Sequence, residues 1–364
     1  MRLLAAMGAC ILLIEGAARW APALLPRPVR LRALEFLSRR GSALFVPDRE
    51  LGVALPAPAR LSMPLFPGSR IRHVLLPGES RIGFRGDFQD AARAGVDIVA
   101  IGDSHVYQVE VDEDETWISQ LARVSGLRTA NLGLPYQGTN QELRFYELYG
   151  ARLRPKVVLL TVCPNDAWDN EAYTNWLVEM GGGEAQRPAS SFIRYKTCLQ
   201  LRLPSAACAL ATFLHRNSLL GFAATSNLWS SSYAAAIDRN LRKQEGLGTI
   251  GRDIQTMKSL VEGGGGRFGV ILTDIWGFPS THPQYLRMRE ILKARRIPFL
   301  DLVVAFNGSK DIRRRRREFL SVDNLHWNGQ GSAFVAQEVY RFLRKRGFVR
   351  PPKERQSGAP KIFR

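Results

Sequence analysis

Two apolar patterns alternate through the middle of the chain. Short strand-like segments occur at 97–101, 129–132, 157–162, 268–273 and 298–302, and several of them are continuous runs of Val, Ile and Leu. Runs of that length without polar alternation are typical of parallel strands buried on both faces. Between them, apolar residues return every three or four positions, which predicts helices over 115–124, 141–153, 254–261, 284–294 and 331–345. Thr139 and Glu142 stand at capping-box spacing at the head of the second of these. Strand, helix and strand in repeated succession predict an α/β chain with a doubly wound parallel sheet of about five strands. The glycines at 263–266 form a tight connector into the fourth strand, and without a Lys-Ser/Thr ending they are not a phosphate loop.

The alternation breaks over 171–250, where 198–220 is apolar with helical spacing; this predicts a helical insertion capping the main domain at 81–346. Upstream, 22–80 is crowded with Pro and Arg and reads as an extended arm lying over that domain. The first 21 residues contain the apolar run 3–14, closed by Glu15. Extended to Ala18 it reaches roughly 16 residues, short of the ~20 that span a bilayer comfortably. With no clear small-x-small cleavage site, the segment is expected to be an uncleaved membrane anchor or signal segment. An extracytoplasmic, cell-envelope location is expected, yet Arg19, Arg27, Arg30 and Arg32 follow the segment, and positive-inside logic pulls the opposite way.

Composition narrows the classes. A hydrophobic content of 45% in 364 residues is enough for a real core and excludes general disorder. The net charge of +18 is concentrated in 27–40, in the run Arg313 to Arg317, and in 341–364, of which 347–364 is a basic tail. Such clusters suit lipid headgroups or an acidic polysaccharide, or are simply solvated. No zinc-finger or RNA-binding signature accompanies them, so nucleic acid is not an expected partner. Cys10, Cys163, Cys198 and Cys208 lack metal spacing, and no metal or cofactor is expected. Cys163 ends an apolar strand and reads as core. Cys198 and Cys208 read as buried helical residues or as a pair in an oxidising compartment.

The chemistry begins at Gly102-Asp103-Ser104, just past the first strand, where an open α/β sheet presents its ligands. Asp103 reads chiefly as the cap of the turn that follows. Downstream, Asp323 and His326 stand three residues apart. A serine hydroxyl is a poor nucleophile until an imidazole takes its proton, and a carboxylate then fixes the imidazole tautomer. Ser104, His326 and Asp323 supply those three groups. Asp166 and Asp169 read as turn residues rather than a metal pair.

Four blocks in order resemble the SGNH/GDSL hydrolase superfamily: Gly102-Asp103-Ser104, the stretch from Asn131 to Thr139, Pro164-Asn165-Asp166, and Asp323 with His326. Ile82 to Gly86 and Asp112 to Trp117 further resemble its membrane-anchored bacterial branch. The resemblance implies a flavodoxin-like three-layer sandwich and a Ser-His-Asp triad. It also implies an oxyanion hole from the Ser104 N–H, a second-block N–H and the Asn165 amide. The family usually has glycine five residues after the second-block asparagine; here Tyr136 stands there, leaving Tyr136 or Gly138 to supply the second N–H. His105, Trp168 and Trp327 are expected near a substrate pocket, with core packing the alternative for each. The implied activity is hydrolysis of acyl esters, acetyl foremost, on a small molecule or a cell-envelope carbohydrate. Acyl transfer to an envelope polysaccharide, and non-catalytic carbohydrate binding or scaffolding, are the alternatives.

Overall fold

The computed structural model describes residues 45–48, 50–56, 59–62, 70–75, 82–86, 95–179, 205–218, 245–273, 283–307, 318–321 and 326–350, with a few isolated positions elsewhere. Its strands are β1 (Val46–Asp48), β2 (Gly52–Ala54), β3 (Ala59–Ser62), β4 (Arg70–Leu75), β5 (Gly83–Arg85), β6 (Ile98–Gly102), β7 (Thr129–Gly133), β8 (Val157–Val162), β9 (Arg267–Leu272) and β10 (Phe299–Asp301). Its helices are α1 (Ser104–Tyr107), α2 (Trp117–Ser125), α3 (Thr139–Phe145), α4 (Asp166–Glu179), α5 (Ser205–Asn217), α6 (Glu245–Gly263), α7 (Pro283–Ala294), α8 (Leu302–Asn307) and α9 (Gly329–Lys345).

The five predicted parallel strands form one continuous ladder in the order β7-β6-β8-β9-β10. Counted along the chain this is the order 2-1-3-4-5, the flavodoxin-like winding. Strand residues alternate between two cores, as a sheet covered on both faces requires. Val99, Ile101, Val158 and Leu160 join one core with Ile254 and Met257 of α6 and Leu292 of α7. Ile98, Ala100, Val157 and Leu159 join the other with Trp117 and Leu121 of α2 and Val335 and Val339 of α9. The chain therefore makes three layers. Its winding reverses between β6 and β8, which opens a crevice at their carboxyl ends.

The arm departs from expectation. Rather than lying over the domain, it is woven into the sheet. β5 pairs antiparallel with β7 through Arg85 and Asn131, β4 pairs with β5, and β3 with β4, so the sheet has eight strands. β1 and β2 form a separate hairpin, and Leu51, Val53, Ala54 and Leu55 are buried. The boundary expected at 171 also falls inside an element. α4 runs through it, and Tyr173 and Trp176 pack with Val53.

The expected helix over 141–153 is α3 followed by a π-helical turn, Tyr146–Gly150, and a short 3-10 turn, Ala151–Leu153. The capping box is shifted by one residue from its expected place. Gly138 is the cap and its N–H donates to Gln141 Oε1 at 3.3 Å, while the Thr139 hydroxyl donates to Asp253 Oδ2 at 2.9 Å. Among the described residues, no helix is long and apolar enough to cross a membrane. Most of the run 3–14, the arginine clusters at 27–40 and 313–317, Cys10, Cys198 and residues 351–364 lie outside the described residues.

Candidate active site

β6 ends on Gly102, and Asp103 caps α1, whose first residue is Ser104. The sharp change of direction needs the glycine. A β-carbon there would lie 2.5 Å from Val106 Cγ2 and 3.0 Å from Thr161 Cβ. Asp103 accepts the His105 N–H at 2.9 Å, as its expected capping role requires. It also accepts Asn165 Nδ2 at 3.0 Å and the Cys163 thiol at 3.4 Å. Burial works to raise the pKa of Asp103, but the hydrogen bonds and charge of His105, with the Asn165 amide, hold it well below the ordinary carboxylate range. It is a fixed anion under the turn that carries Ser104.

Ser104 and His326 are 222 positions apart in sequence, yet Ser104 Oγ and His326 Nε2 are 2.8 Å apart. The histidine sits on a short antiparallel return in which Leu320 bridges Trp327, and the Ser321 N–H donates to the His326 carbonyl at 2.7 Å. Two residues later Asn328 caps α9, accepting the Gly331 N–H at 2.9 Å. Trp327, next to the histidine, is buried in the α2–α9 core. The other ring nitrogen, Nδ1, meets Glu110 Oε1 at 3.0 Å. Asp323, the expected acid, lies outside the described residues.

The loop carrying Glu110 is held from below by a buried arginine. Arg85 has no exposed surface. Its guanidinium donates to the carbonyls of Tyr107, Gln108 and Val111 and pairs with Glu113, the Nε–Oε2 distance being 3.1 Å. Gln108 holds the loop from the side, donating through Nε2 to Ser332 Oγ and accepting the Trp117 N–H, both at 2.7 Å. Its φ of 56° and its N–H bond to the Ser104 carbonyl turn the chain back directly after α1. The flanking blocks at 82–86 and 112–117 thus face one another, one supplying the arginine and the other its carboxylate. Sequence reasoning missed Glu110, Arg85 and Gln108. The available signal was a buried-type block containing an arginine, paired at a distance with an acidic block.

The second block is a tie between β7 and α1. Asn131 donates through Nδ2 to the Val106 carbonyl at 2.8 Å and accepts the Gly133 N–H at 2.9 Å. At Gly133 a β-carbon would stand 2.2 Å from the Tyr107 nitrogen, so only glycine allows this approach. Tyr136 has a φ of 70°, the left-handed conformation that glycine favours, and its ring meets Phe45 edge-on at 5.6 Å. The tyrosine therefore keeps a glycine-like backbone while adding a side chain above it. Gly138 is buried with its N–H engaged by Gln141. Asn165 is also internally engaged: Nδ2 donates to Asp103 and Asp169, both at 3.0 Å.

The three expected pocket residues are packed rather than displayed. His105 is buried, with Nδ1 3.5 Å from Asp103 Oδ1 and its ring 5.0 Å from that of His326 and 5.2 Å from Trp327. Trp168 and Trp327 are buried as well. Asp166 accepts the Cys163 N–H at 2.9 Å, a turn contact. Asp103, His105 and Cys163 bring ligand-type atoms within 4.8 Å of one another. Hydrogen bonding accounts for that cluster, and burial pushes the Cys163 thiol up, which keeps it protonated.

No family model matches the chain, and no curated protein does. Solved structures similar to it include the psychrotrophic esterase EstA from Pseudoalteromonas sp., 11% identical over 69% of this chain and 98% of that one, with a TM-score of 0.39. A lipase/acylhydrolase from Enterococcus faecalis is 16% identical over 71% of this chain and 99% of that one, with a TM-score of 0.36. The acetyl xylan esterase AlAXEase is 14% identical over 68% of this chain and 98% of that one, with a TM-score of 0.37.

Proposed function

We propose that the chain is a serine ester hydrolase of the SGNH/GDSL type, acting on acyl and foremost acetyl esters through an acyl-enzyme. The observation that carries this reading is the 2.8 Å approach of His326 Nε2 to Ser104 Oγ at the carboxyl edge of β6. In that arrangement the imidazole takes the hydroxyl proton as Ser104 Oγ attacks the ester carbonyl. It then returns the proton to the departing alcohol, leaving an acyl-serine. Water, deprotonated by the same imidazole, attacks the acyl carbon and releases the acid. The oxyanion of each tetrahedral intermediate needs donors, each worth about 3 kcal/mol in a preorganised site. Two backbone N–H groups are suited to the task. One is that of Ser104, which opens α1 and so has no intrahelical carbonyl to serve. The other is that of Tyr136, whose backbone holds the glycine-like turn.

The test uses the whole chain, an aryl acetate and a fluorophosphonate. The wild type is expected to release the chromophore and to be labelled at Ser104. Ser104→Ala is expected to lose labelling entirely and to lose turnover by 10³-fold or more. Equal turnover in wild type and variant overturns the reading. The apolar run at 3–14 supports an N-terminal membrane anchor; a reporter fused after Arg364 reads which side of the membrane the body occupies.

A further inference from the structure

We infer that Glu110 is the positioning carboxylate of this site, the group that fixes the tautomer of His326 and stabilises its imidazolium. The inference rests on the reading of Ser104 as nucleophile and adds the residue that makes its base work. Four observations carry it. Glu110 Oε1 is 3.0 Å from Nδ1, the ring nitrogen opposite the one that meets Ser104 Oγ at 2.8 Å, so the three groups lie in the order proton donor, base and orienter. The Glu110 side chain is 1% exposed and that of His326 18%, so their interaction is shielded from water on the carboxylate side.

Thirdly, Glu110 Oε2 is buried with no hydrogen-bond partner among the described residues. Among the described residues the imidazole is then the group that compensates this carboxylate. Finally, the loop is rigid where precision is needed. Arg85 holds three of its carbonyls and Gln108 clamps it to α2 and α9. Ser104 and Glu110 therefore belong to one short turn-and-return of chain, and only the histidine arrives from elsewhere. Among the described residues, the other ionisable groups facing the pair are His105, ring to ring at 5.0 Å, Asp103 behind it, and Arg85 with Glu113 beneath the loop.

The test compares full-length wild type, Glu110→Gln, Glu110→Asp and Asp323→Asn by the rate of fluorophosphonate labelling against pH. Removing a carboxylate beside an imidazole makes protonation of the ring harder, so the acid limb of the profile moves to lower pH. Glu110→Gln is expected to label about 10³-fold more slowly and to show that displaced limb. Glu110→Asp is expected to recover part of the rate and the original limb. Should Glu110→Gln not fold, Glu110→Asp decides: roughly tenfold slower labelling supports the inference and wild-type labelling overturns it. An unmoved limb in folded Glu110→Gln, or a limb moved by Asp323→Asn alone, also overturns it. A second readout does not depend on catalysis. With the five histidines labelled with ¹⁵N, the His326 ring is expected to titrate at lower pH in Glu110→Gln than in wild type. No change there defeats the inference, whereas absent labelling of the wild type alone defeats the esterase reading and leaves this measurement to decide.

Discussion

Glu142 has no exposed surface, and neither of its carboxylate oxygens has a hydrogen-bond partner among the described residues. Burial, and then the charges of Asp166, Asp103, Asp169 and Asp253, push its carboxyl well above the ordinary value of 4.5. The folded protein therefore holds a proton that the unfolded chain releases above that value. Stability from this residue is fully present below about pH 4.5 and declines as pH rises toward the folded value. Glu142→Gln keeps the shape without the titration. Near pH 7.5 it is expected to be more stable than wild type by on the order of 1–2 kcal/mol, with the difference vanishing near pH 4. Urea melts across that range measure it, and a variant weaker at every pH refutes it. Single residues were unevenly legible. Ser104 and His326 stood out because each sits in a short block beside an element end. Glu110 did not, because it opens the run Glu110-Val111-Asp112-Glu113-Asp114-Glu115, where nothing in the sequence separates the buried acid from its half-buried and exposed neighbours.

At the scale of elements, β5 is the instructive case. It is three residues long and ends in a fully buried arginine. Strands β6, β8 and β9 were readable because burial on both faces makes them continuous apolar runs. No such rule finds Gly83-Phe84-Arg85, whose last residue is buried to serve the carbonyls of another loop. Arg85 has a planar fork of donors that a single ammonium does not reproduce. Arg85→Met is expected to cost about 3–5 kcal/mol, since it leaves Glu113 and the loop carbonyls without their donor. Arg85→Lys is expected to recover less than half of that. Chemical denaturation reads the loss, and the labelling rate at Ser104 should fall with it as the Glu110 loop loosens. A wild-type rate in a folded Arg85→Met protein would show that the loop holds its geometry without the arginine.

For the molecule as a whole, the arm counts as part of the domain. His73 of β4 shows how closely: Nδ1 donates to the Pro56 carbonyl at 3.1 Å, and Nε2 accepts the Tyr107 hydroxyl at 2.7 Å at the end of α1, the helix that Ser104 opens. Burial and the nearby Arg85 charge lower its pKa from 6.5 to about 4, although the Pro56 contact works the other way. The unfolded chain therefore takes up this proton first. Stability is complete above about pH 6.5 and is lost as pH falls toward 4, by on the order of 3 kcal/mol. Wild type should lose melting temperature more steeply through that window than His73→Gln, and parallel profiles refute the assignment. The density of Pro and Arg over 22–80 hid the alternation of Arg70 to Leu75, so the doubly wound half of the sheet was legible and its antiparallel extension was not. One consequence follows from the return that carries His326. Synthesis delivers Ser104, Arg85 and Glu110 together, long before His326 and the helix that follows it. On the proposed mechanism a nascent or C-terminally clipped chain thus carries an inert hydroxyl, and acquiring reactivity marks the moment the last layer docks.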